Sequence, residues 1–521
     1  MAIQAETIKY GPWPQGVRYD LPPEDIAPNG LRQMENARLT AAAAIEKALG
    51  TASYQSLAAI AGTPTFTAAG EFQIPGGSKK VFAVAGAKFY EYSSGWVDRT
   101  GAVTITVGDD NTFEWVVAYD YVVFTNGVDA PFKWSGTGNA TVLDVDSRFT
   151  TAEHVAFFDN RLWMGNVDTN YDRYWYSNIG DIETWDVLDF NNLGSPIGAL
   201  QANQNVLAFH TDDFISIAIA TGNAVVPYQV QQRTSSDPRN PQTGGSISGR
   251  AVVTIPGNAQ LFPQEDGIYM WAGGDRIEKV SHALDLGYWD KINMSRLGQS
   301  FAVFYAQESE VWFWLPYGVG QQNMNHIMVM STKFRYQDPA TGEPRFAWYG
   351  PLTGDTSAFE RNCGAIIDNK PHAGGFAGKL LNHAPANTFN QEGAAYTSYF
   401  ETAAPAPLGS DVDLRWLYAK TYYDALGDYT VTLNQESQGV GVNSGTLSTT
   451  GGGGQLDTFE LDVDTLGTVR MVSKDNDLRG YDPHSSLKFT NNSADETYRI
   501  RRTHLQFKII GRRRKPRAGV T

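Results

Sequence analysis

The chain predicts an all-β fold, a β-propeller followed by a second β-body, and three observations carry that prediction. From Phe82 to His383 a unit recurs about seven times: a short apolar or aromatic strand, a turn, a second strand, and a corner marked by Gly or Trp. Radial sheet repeats appear in sequence in this way. Val, Tyr, Phe, Trp and Thr dominate the apolar runs, and their bulk near the backbone packs well on a pleated surface. Beyond Pro385 the short units give way to longer alternating strands.

In chain order, residues 1–75 read as an N-terminal arm. Pro12, Pro14, Pro22, Pro23 and Pro28 hold much of it extended. Asn29-Gly30 reads as a turn. The Ala-rich stretch Leu31 to Leu49, with Glu35, Arg38, Glu46 and Lys47, predicts one short helix. Residues 76–385 then read as one toroid, with the arm joining it or lying on its surface.

Within the toroid, Phe82–Gly86 leads to Lys88–Tyr92 and Trp96, and Trp115–Tyr119 leads to Tyr121–Thr125 and Trp134. His154–Phe158 leads through Asp159-Asn160 to Arg161–Gly165. The rhythm returns at Val206–Phe209, Gln260–Phe262, Val303–Tyr305 and Gly364–Ile367. The uneven spacing of these anchors fits blades carrying insertions and leaves the blade number at about seven.

Residues 386–510 predict a β-sandwich-like domain. Its strands are Tyr399–Thr402, Leu414–Tyr423, Tyr429–Leu433, Phe459–Val463 and Thr503–Ile510, with a flexible glycine-rich loop from Gly441 to Gln455. Residues 511–521 form a basic tail containing Arg512-Arg513-Arg514-Lys515.

Composition narrows the chemistry. Cys363 is the only cysteine, so there is no intrachain disulfide and no cysteine metal cluster. No run approaches the roughly 18 apolar residues of a membrane helix, and the first residues lack the basic-then-apolar order of a signal peptide. The expectation is synthesis in the cytoplasm without membrane insertion. A formal net charge of -15 disfavours sequence-independent binding of nucleic acid, which needs clustered Lys and Arg. The same charge suits a wall along which nucleic acid slides without sticking.

A search for reaction chemistry returns no catalytic, cofactor-binding or metal-binding residue. Asp475-Asn476-Asp477-Leu478-Arg479-Gly480 starts like a calcium loop, but Arg479 and Ser486 stand where oxygen ligands are needed, so it reads as a charged turn. Gly378-Lys379 has Ala373 and Leu380 where a phosphate loop has Gly and Ser or Thr. Ser177–Trp185 is out of register for the Asp-box turn of sialidases and occurs once. The aromatic clusters Tyr171–Tyr176 and Val311–Trp314 read as blade packing before glycan stacking. No pair among the 56 acidic residues stands out as a glycosidase acid and base.

Four segments taken in order resemble one family, the β-propeller tail hub or nozzle proteins of short-tailed (podovirus-like) bacteriophages. They are the arm Gly16–Asp25 with Asn36–Leu39 and Ile45–Lys47; the blade Asp159–Gly165 with Tyr176–Trp185; the closing blade Gly374–Leu381; and the opening Tyr399–Thr402 of the second body. Lys47-Ala48-Leu49-Gly50 departs from the family's Arg-Pro-Gly-like close of the arm. The resemblance implies a structural virion protein with no catalytic residue and no cofactor. It implies a homohexameric ring below the portal and adaptor, contacts with the tail adaptor protein and with tail fibre or spike proteins, and transient passage of double-stranded DNA without specific binding. The competing expectation is a carbohydrate-binding or carbohydrate-cleaving propeller acting in host receptor recognition.

Overall fold

The computed structural model describes residues 5–73, 77–203, 206–223, 226–234, 244–338, 341–354, 359–409, 412–426, 429–437, 440–448, 471–478 and 481–512. Seven four-stranded antiparallel sheets follow one another along the chain and form a seven-bladed propeller. The first strands of blades 1 to 7 are Phe66–Gln73, Glu114–Ala118, Ala152–Phe158, Ile197–Asn203, Val253–Ile255, Phe301–Tyr305 and Arg361–Ile367.

Local chemistry sets each hairpin. In blade 3 the chain turns at Asp159 and Asn160, and in blade 7 at Asp368 and Asn369, with φ of +50°, +57°, +50° and +60°. Two consecutive left-handed residues make the turn whose twist matches paired strands, and Asn and Asp tolerate that conformation. Register follows: Phe158 faces Arg161, and Ile367 faces Lys370.

Wedge-shaped gaps between blades are filled by large side chains. Phe82, Phe89, Phe124, Phe132 and Trp134 form the seam of blades 1 and 2, with Phe124 and Phe132 stacked at 4.6 Å. Trp163, Tyr174, Phe209 and Tyr228 form the seam of blades 3 and 4.

The propeller is closed by a strand from far away in sequence. The fourth strand of blade 7 is Ala52–Ser53, paired to Leu381 and Asn382. The toroid therefore does not coincide with residues 76–385. It begins ten residues earlier, at Phe66, and borrows its last strand from the arm.

The stretch expected to be helical, Leu31 to Leu49, forms strands Leu31–Glu35, Ala37–Leu39 and Ile45–Lys47. Alanine's helix propensity is a weak prior that tertiary burial overrides. Asn36 and Ala43 have φ of +51° and +53°, and the Thr40 hydroxyl accepts from the N–H groups of Ala42 and Ala44 at 3.3 and 3.2 Å. That turn folds Ala37–Leu39 back onto Ile45–Lys47. Among the described residues there is no α-helix, only short 3-10 turns, of which the arm holds one at Tyr54–Ser56.

Both chain ends build the second body, so it is larger than residues 386–510. One sheet contains Ala37–Leu39, Ile45–Lys47, Arg499–Arg512, Val412–Asp424 and Met471–Asp477, with Glu6–Tyr10 also paired to Arg499–Arg512. The other contains Leu31–Glu35, Ser398–Thr402, Ser486–Asn491, Thr430–Ser437 and Val440–Ser448. Gly441 to Ser448, expected to be loop, is strand, because it pairs along Thr430–Ser437. Asp475–Asp477, expected to be a turn, is strand for the same reason, paired to Tyr418–Lys420. Gly451–Gly454, Phe459–Val463, Arg479-Gly480 and residues 513–521 lie outside the described residues.

The two bodies share one hydrophobic core, running from Trp13, Phe400 and Trp416 through Trp348 to Trp314 and Phe301. The Val17 N–H donates to the Trp348 carbonyl at 2.9 Å, and the Tyr19 N–H to that of Ala283 at 2.8 Å. Gly16, at φ +66°, lies so close that a Cβ would sit 2.0 Å from the Trp348 oxygen.

Candidate functional site

The inner strands of all seven blades surround an axial lumen. Its main chamber has a volume of about 470 Å³ and is lined by Ala68, Trp115, Val155, Thr254, Phe304 and Ile366 among others. The alternation of exposure along Phe301–Tyr305 turns Ala302 and Phe304 to the axis and Phe301, Val303 and Tyr305 to the blade seams. A second chamber of about 260 Å³, lined by polar residues including Asp110, Asn126, Glu153 and Asn166, forms one mouth of the lumen. Gly249 and Arg250 line both chambers and stand between them.

At that boundary a belt of hydrogen bonds passes through every blade. Glu114 of blade 2 contacts His154 Nδ1 of blade 3 at 3.0 Å, and His154 Nε2 reaches the Ile197 carbonyl of blade 4 at 3.1 Å. His210 of blade 4 contacts Gln260 of blade 5 at 2.8 Å and accepts from the Ser246 N–H at 3.3 Å. Ser248 donates to the Ser300 carbonyl at 2.6 Å, leading into blade 6. Arg250 donates to the Gln299 carbonyl at 2.6 Å and to the Asn362 carbonyl of blade 7 at 2.7 Å. Asn362 Nδ2 returns to the Phe66 carbonyl of blade 1 at 3.1 Å.

The two buried histidines of the belt hold opposite charge states. Burial opposes a charge on His154, but the Glu114 carboxylate, Glu153 and the Ile197 carbonyl outweigh it and raise its pKa to about 9. Both ring nitrogens face acceptors, as an imidazolium requires. Burial lowers the pKa of His210 to about 4, against the Gln260 contact that favours the charge. Its Nδ1 accepts a hydrogen bond, so the neutral ring carries its proton on Nε2.

Glycine makes the close approach possible. A Cβ at Gly249 would lie 1.9 Å from Glu114 Oε1 and 2.8 Å from His154 Nδ1. Burial holds the Arg250 pKa down to about 10 despite the nearby Cys363, Glu114, Asp110 and Glu153. Cys363 also lines the chamber, and burial pushes its thiol up to about 12, which leaves little of the nucleophilic thiolate at neutral pH.

Sequence reasoning named no site residue, and the belt shows why. Its side chains are scattered along the blades from Glu114 to Asn362 and share no local motif. One signal was available: counting back from the hairpins that pair Ala118 with Tyr121 and Phe158 with Arg161, Glu114 and His154 fall at the same blade position.

The motifs that sequence reasoning set aside have structural roles. Ser177 is buried, and its hydroxyl accepts from the Leu162 N–H at 3.0 Å. Asp181 accepts from the Glu183 N–H at 2.8 Å within the same turn. Gly378 and Lys379 sit in the turn between strands Lys370–Gly375 and Leu380–Asn382 of blade 7. Trp312, Phe313, Trp314, Tyr174, Trp175 and Tyr176 are buried, whereas Tyr171 is exposed.

No protein-family model and no curated protein matches the chain. Solved structures with some likeness include the computationally designed Ika8 protein, at 12% identity over 62% of this chain and 98% of that chain, with a TM-score of 0.36. YCF48 bound to D1 peptide stands at 11% identity, 65% and 98% coverage and a TM-score of 0.36. A catalytically inactive virginiamycin B lyase from Staphylococcus aureus with quinupristin stands at 11% identity, 64% and 98% coverage and a TM-score of 0.40. None of these likenesses carries an activity or a ligand over to this chain.

Proposed function

We propose that this chain is a non-enzymatic structural subunit of a bacteriophage tail, a hub or nozzle that assembles as a ring, most simply of six copies, around the path of the genome. The observation that carries the reading is the single core joining propeller and sandwich, with the arm threaded through both. Such a unit resists shear between its two bodies, which suits a ring that must stay closed while DNA leaves. The order of the four motifs given above supports the family.

The DNA path belongs between subunits and not along the propeller axis. A duplex whose major groove alone is about 12 Å wide does not fit a lumen with a chamber of about 470 Å³ and Arg250 across it. The net charge of -15 favours sliding over sticking. Ring closure uses two different faces of each subunit, burying well above about 1,000 Å² per contact. The tail adaptor and the fibres or spikes are the remaining partners, and the virion is the proposed location after synthesis in the host cytoplasm.

The exposed side chains Tyr171, Leu188 and Phe190 on blade 3 favour one second reading, a glycan-binding receptor protein. Electron cryomicroscopy of the source particle separates the two. A ring of this chain on the tail axis below the adaptor supports the hub. Independent peripheral trimers overturn it and leave receptor recognition.

A further inference from the structure

One sheet of the second body turns a basic face outward, on a chain whose net charge is -15. It is the sheet of Glu6–Tyr10, Arg499–Arg512, Val412–Asp424 and Met471–Asp477, and its side chains alternate between two sides. Leu505, Phe507, Trp416 and Ala419 enter the hydrophobic core. Register sets the other side chains in rows across the strands. Lys9 stands opposite His504, and His504 opposite Lys420. Arg502 stands opposite Tyr422, and Lys508 opposite Arg415. Lys9, Arg415, Arg502 and Lys508 are exposed. The ion pairs of this sheet are made by other residues: Lys420 with Asp475 at 3.9 Å, and Arg499 and Arg501 with the buried Asp424. Among the described residues, no carboxylate pairs with Lys9, Arg415, Arg502 or Lys508.

Tyr422 holds the middle of the face. The Arg502 guanidinium lies over its ring at 4.5 Å, and the His504 ring is 5.0 Å from it. Burial, and then the charges of Arg502, Lys9 and Lys420, hold the His504 pKa below its ordinary value. The carboxylates of this face stand at its margins. Asp475 and Asp477 belong to the edge strand, opposite Lys420 and Tyr418, and Asp413 stands opposite Gly511 near the end of its strand. The cations come from three distant parts of the sequence, so no basic run announces them. After Arg512 the sequence continues with Arg513-Arg514-Lys515-Pro516-Arg517.

We propose that this face is a docking surface for duplex DNA, which it holds by backbone phosphates without reading bases. From Arg502 to Lys508 the strand runs about 20 Å, and a duplex presents one charge per roughly 1.7 Å of its axis. Each unpaired cation therefore meets a phosphate. Single strands bind by stacking bases on free aromatic rings, whereas the Tyr422 ring is already covered by Arg502. A protein partner seeks an apolar centre, whereas the centre here is Tyr422, His504 and Gln506. The acidic remainder of the chain repels the duplex and confines contact to this patch. The inference deepens the tail-hub reading and rests on it for the presence of a duplex.

Fluorescence anisotropy of the full chain with a labelled duplex of about 20 base pairs and arbitrary sequence tests it. The expected result is binding that weakens on the order of 100-fold between about 50 and about 200 mM salt, as four phosphate contacts require. Arg502→Gln with Lys508→Gln weakens binding at about 50 mM salt by about tenfold or more and flattens the salt dependence by about two contacts. Lys79→Gln with Lys333→Gln removes the same charge from exposed positions on the propeller and changes neither. A chain ending at Arg512 keeps its sensitivity to the Arg502 and Lys508 changes. Each variant is checked for a wild-type melting profile, and Lys9→Gln with Arg415→Gln replaces the first pair if that pair fails to fold. Absence of binding, equal losses from the face pair and the propeller pair, or binding that depends on the residues after Arg512 alone overturns the proposal. Equal affinity for a single strand of the same length overturns it as well. So does self-association without DNA that the Arg502 and Lys508 changes abolish, which makes a second copy the occupant. The tail-hub reading is decided separately, by the position of the chain in the particle.

Discussion

Glu114→Gln is the most informative single change in the belt. In the folded protein His154 titrates near 9 against an ordinary value of 6.5. The unfolded chain gives up that proton near 6.5 and the folded chain near 9. The pair's contribution is therefore fully present below about pH 6.5 and is lost as pH rises toward 9. At about 1.4 kcal/mol per pH unit this amounts to about 3 kcal/mol. Gln keeps a hydrogen-bond acceptor for Nδ1 but removes the largest favourable charge, so burial is then opposed only by Glu153 and the Ile197 carbonyl and the ring shifts toward its neutral form. The variant should be less stable than wild type by up to about 3 kcal/mol at pH 6, with the gap closing by pH 9.5. For a chain of this size that is a melting difference of roughly 3–6 °C at the low end. Differential scanning calorimetry of both proteins from pH 6 to 9.5 measures it, and other titrating groups cancel in the difference. A gap that stays constant across this range refutes the assignment of a charged His154 held by Glu114.

Three further outcomes are expected. Gly16→Ala places a Cβ against the Trp348 oxygen at a φ of +66° and should cost about 2–4 kcal/mol, read as a lowered urea midpoint. Trp163→Ala empties the seam of blades 3 and 4 and should cost about 3–5 kcal/mol by the same measurement. Burial lowers His210 to about 4 and His326 to about 3. The unfolded chain binds those protons near 6.5, so stability is full above that pH and falls as pH drops toward 4. The urea midpoint should decrease from pH 7 to 4.5, and His326→Gln should lessen the decrease.

Repetition in the blades was legible because each one needs the same strand, turn and strand to bury its faces. The boundaries were harder to read, since one apolar run looks like another. Trp115–Ala118, His154–Phe158 and Gly364–Ile367 lie in first strands, whereas Phe82–Ala85, Val206–Phe209 and Gln260–Phe262 lie in second strands. Anchoring on a mixture of the two hid Phe66–Gln73 and moved the start of the toroid. Leu31 to Leu49 was misread because alanine is compatible with either structure, and the deciding partners, Thr402, Phe400 and Ile500, lie more than 350 residues away. Arg250 gave no local sign of its role, since its acceptors are the backbones of Gln299 and Asn362.

Ala52–Ser53 has its strand partner at Leu381 and Asn382, and this imposes a schedule on synthesis. About 330 residues must leave the ribosome after the arm before blade 7 can be completed. At roughly 5–20 residues per second the wait is about 16–66 s. Through that interval the early blades are unsealed, and strands such as Leu31–Glu35 lack their partner strand Ser398–Thr402. The nascent chain is then a target for holdase chaperones, and a stall or truncation before residue 382 leaves a product that cannot close.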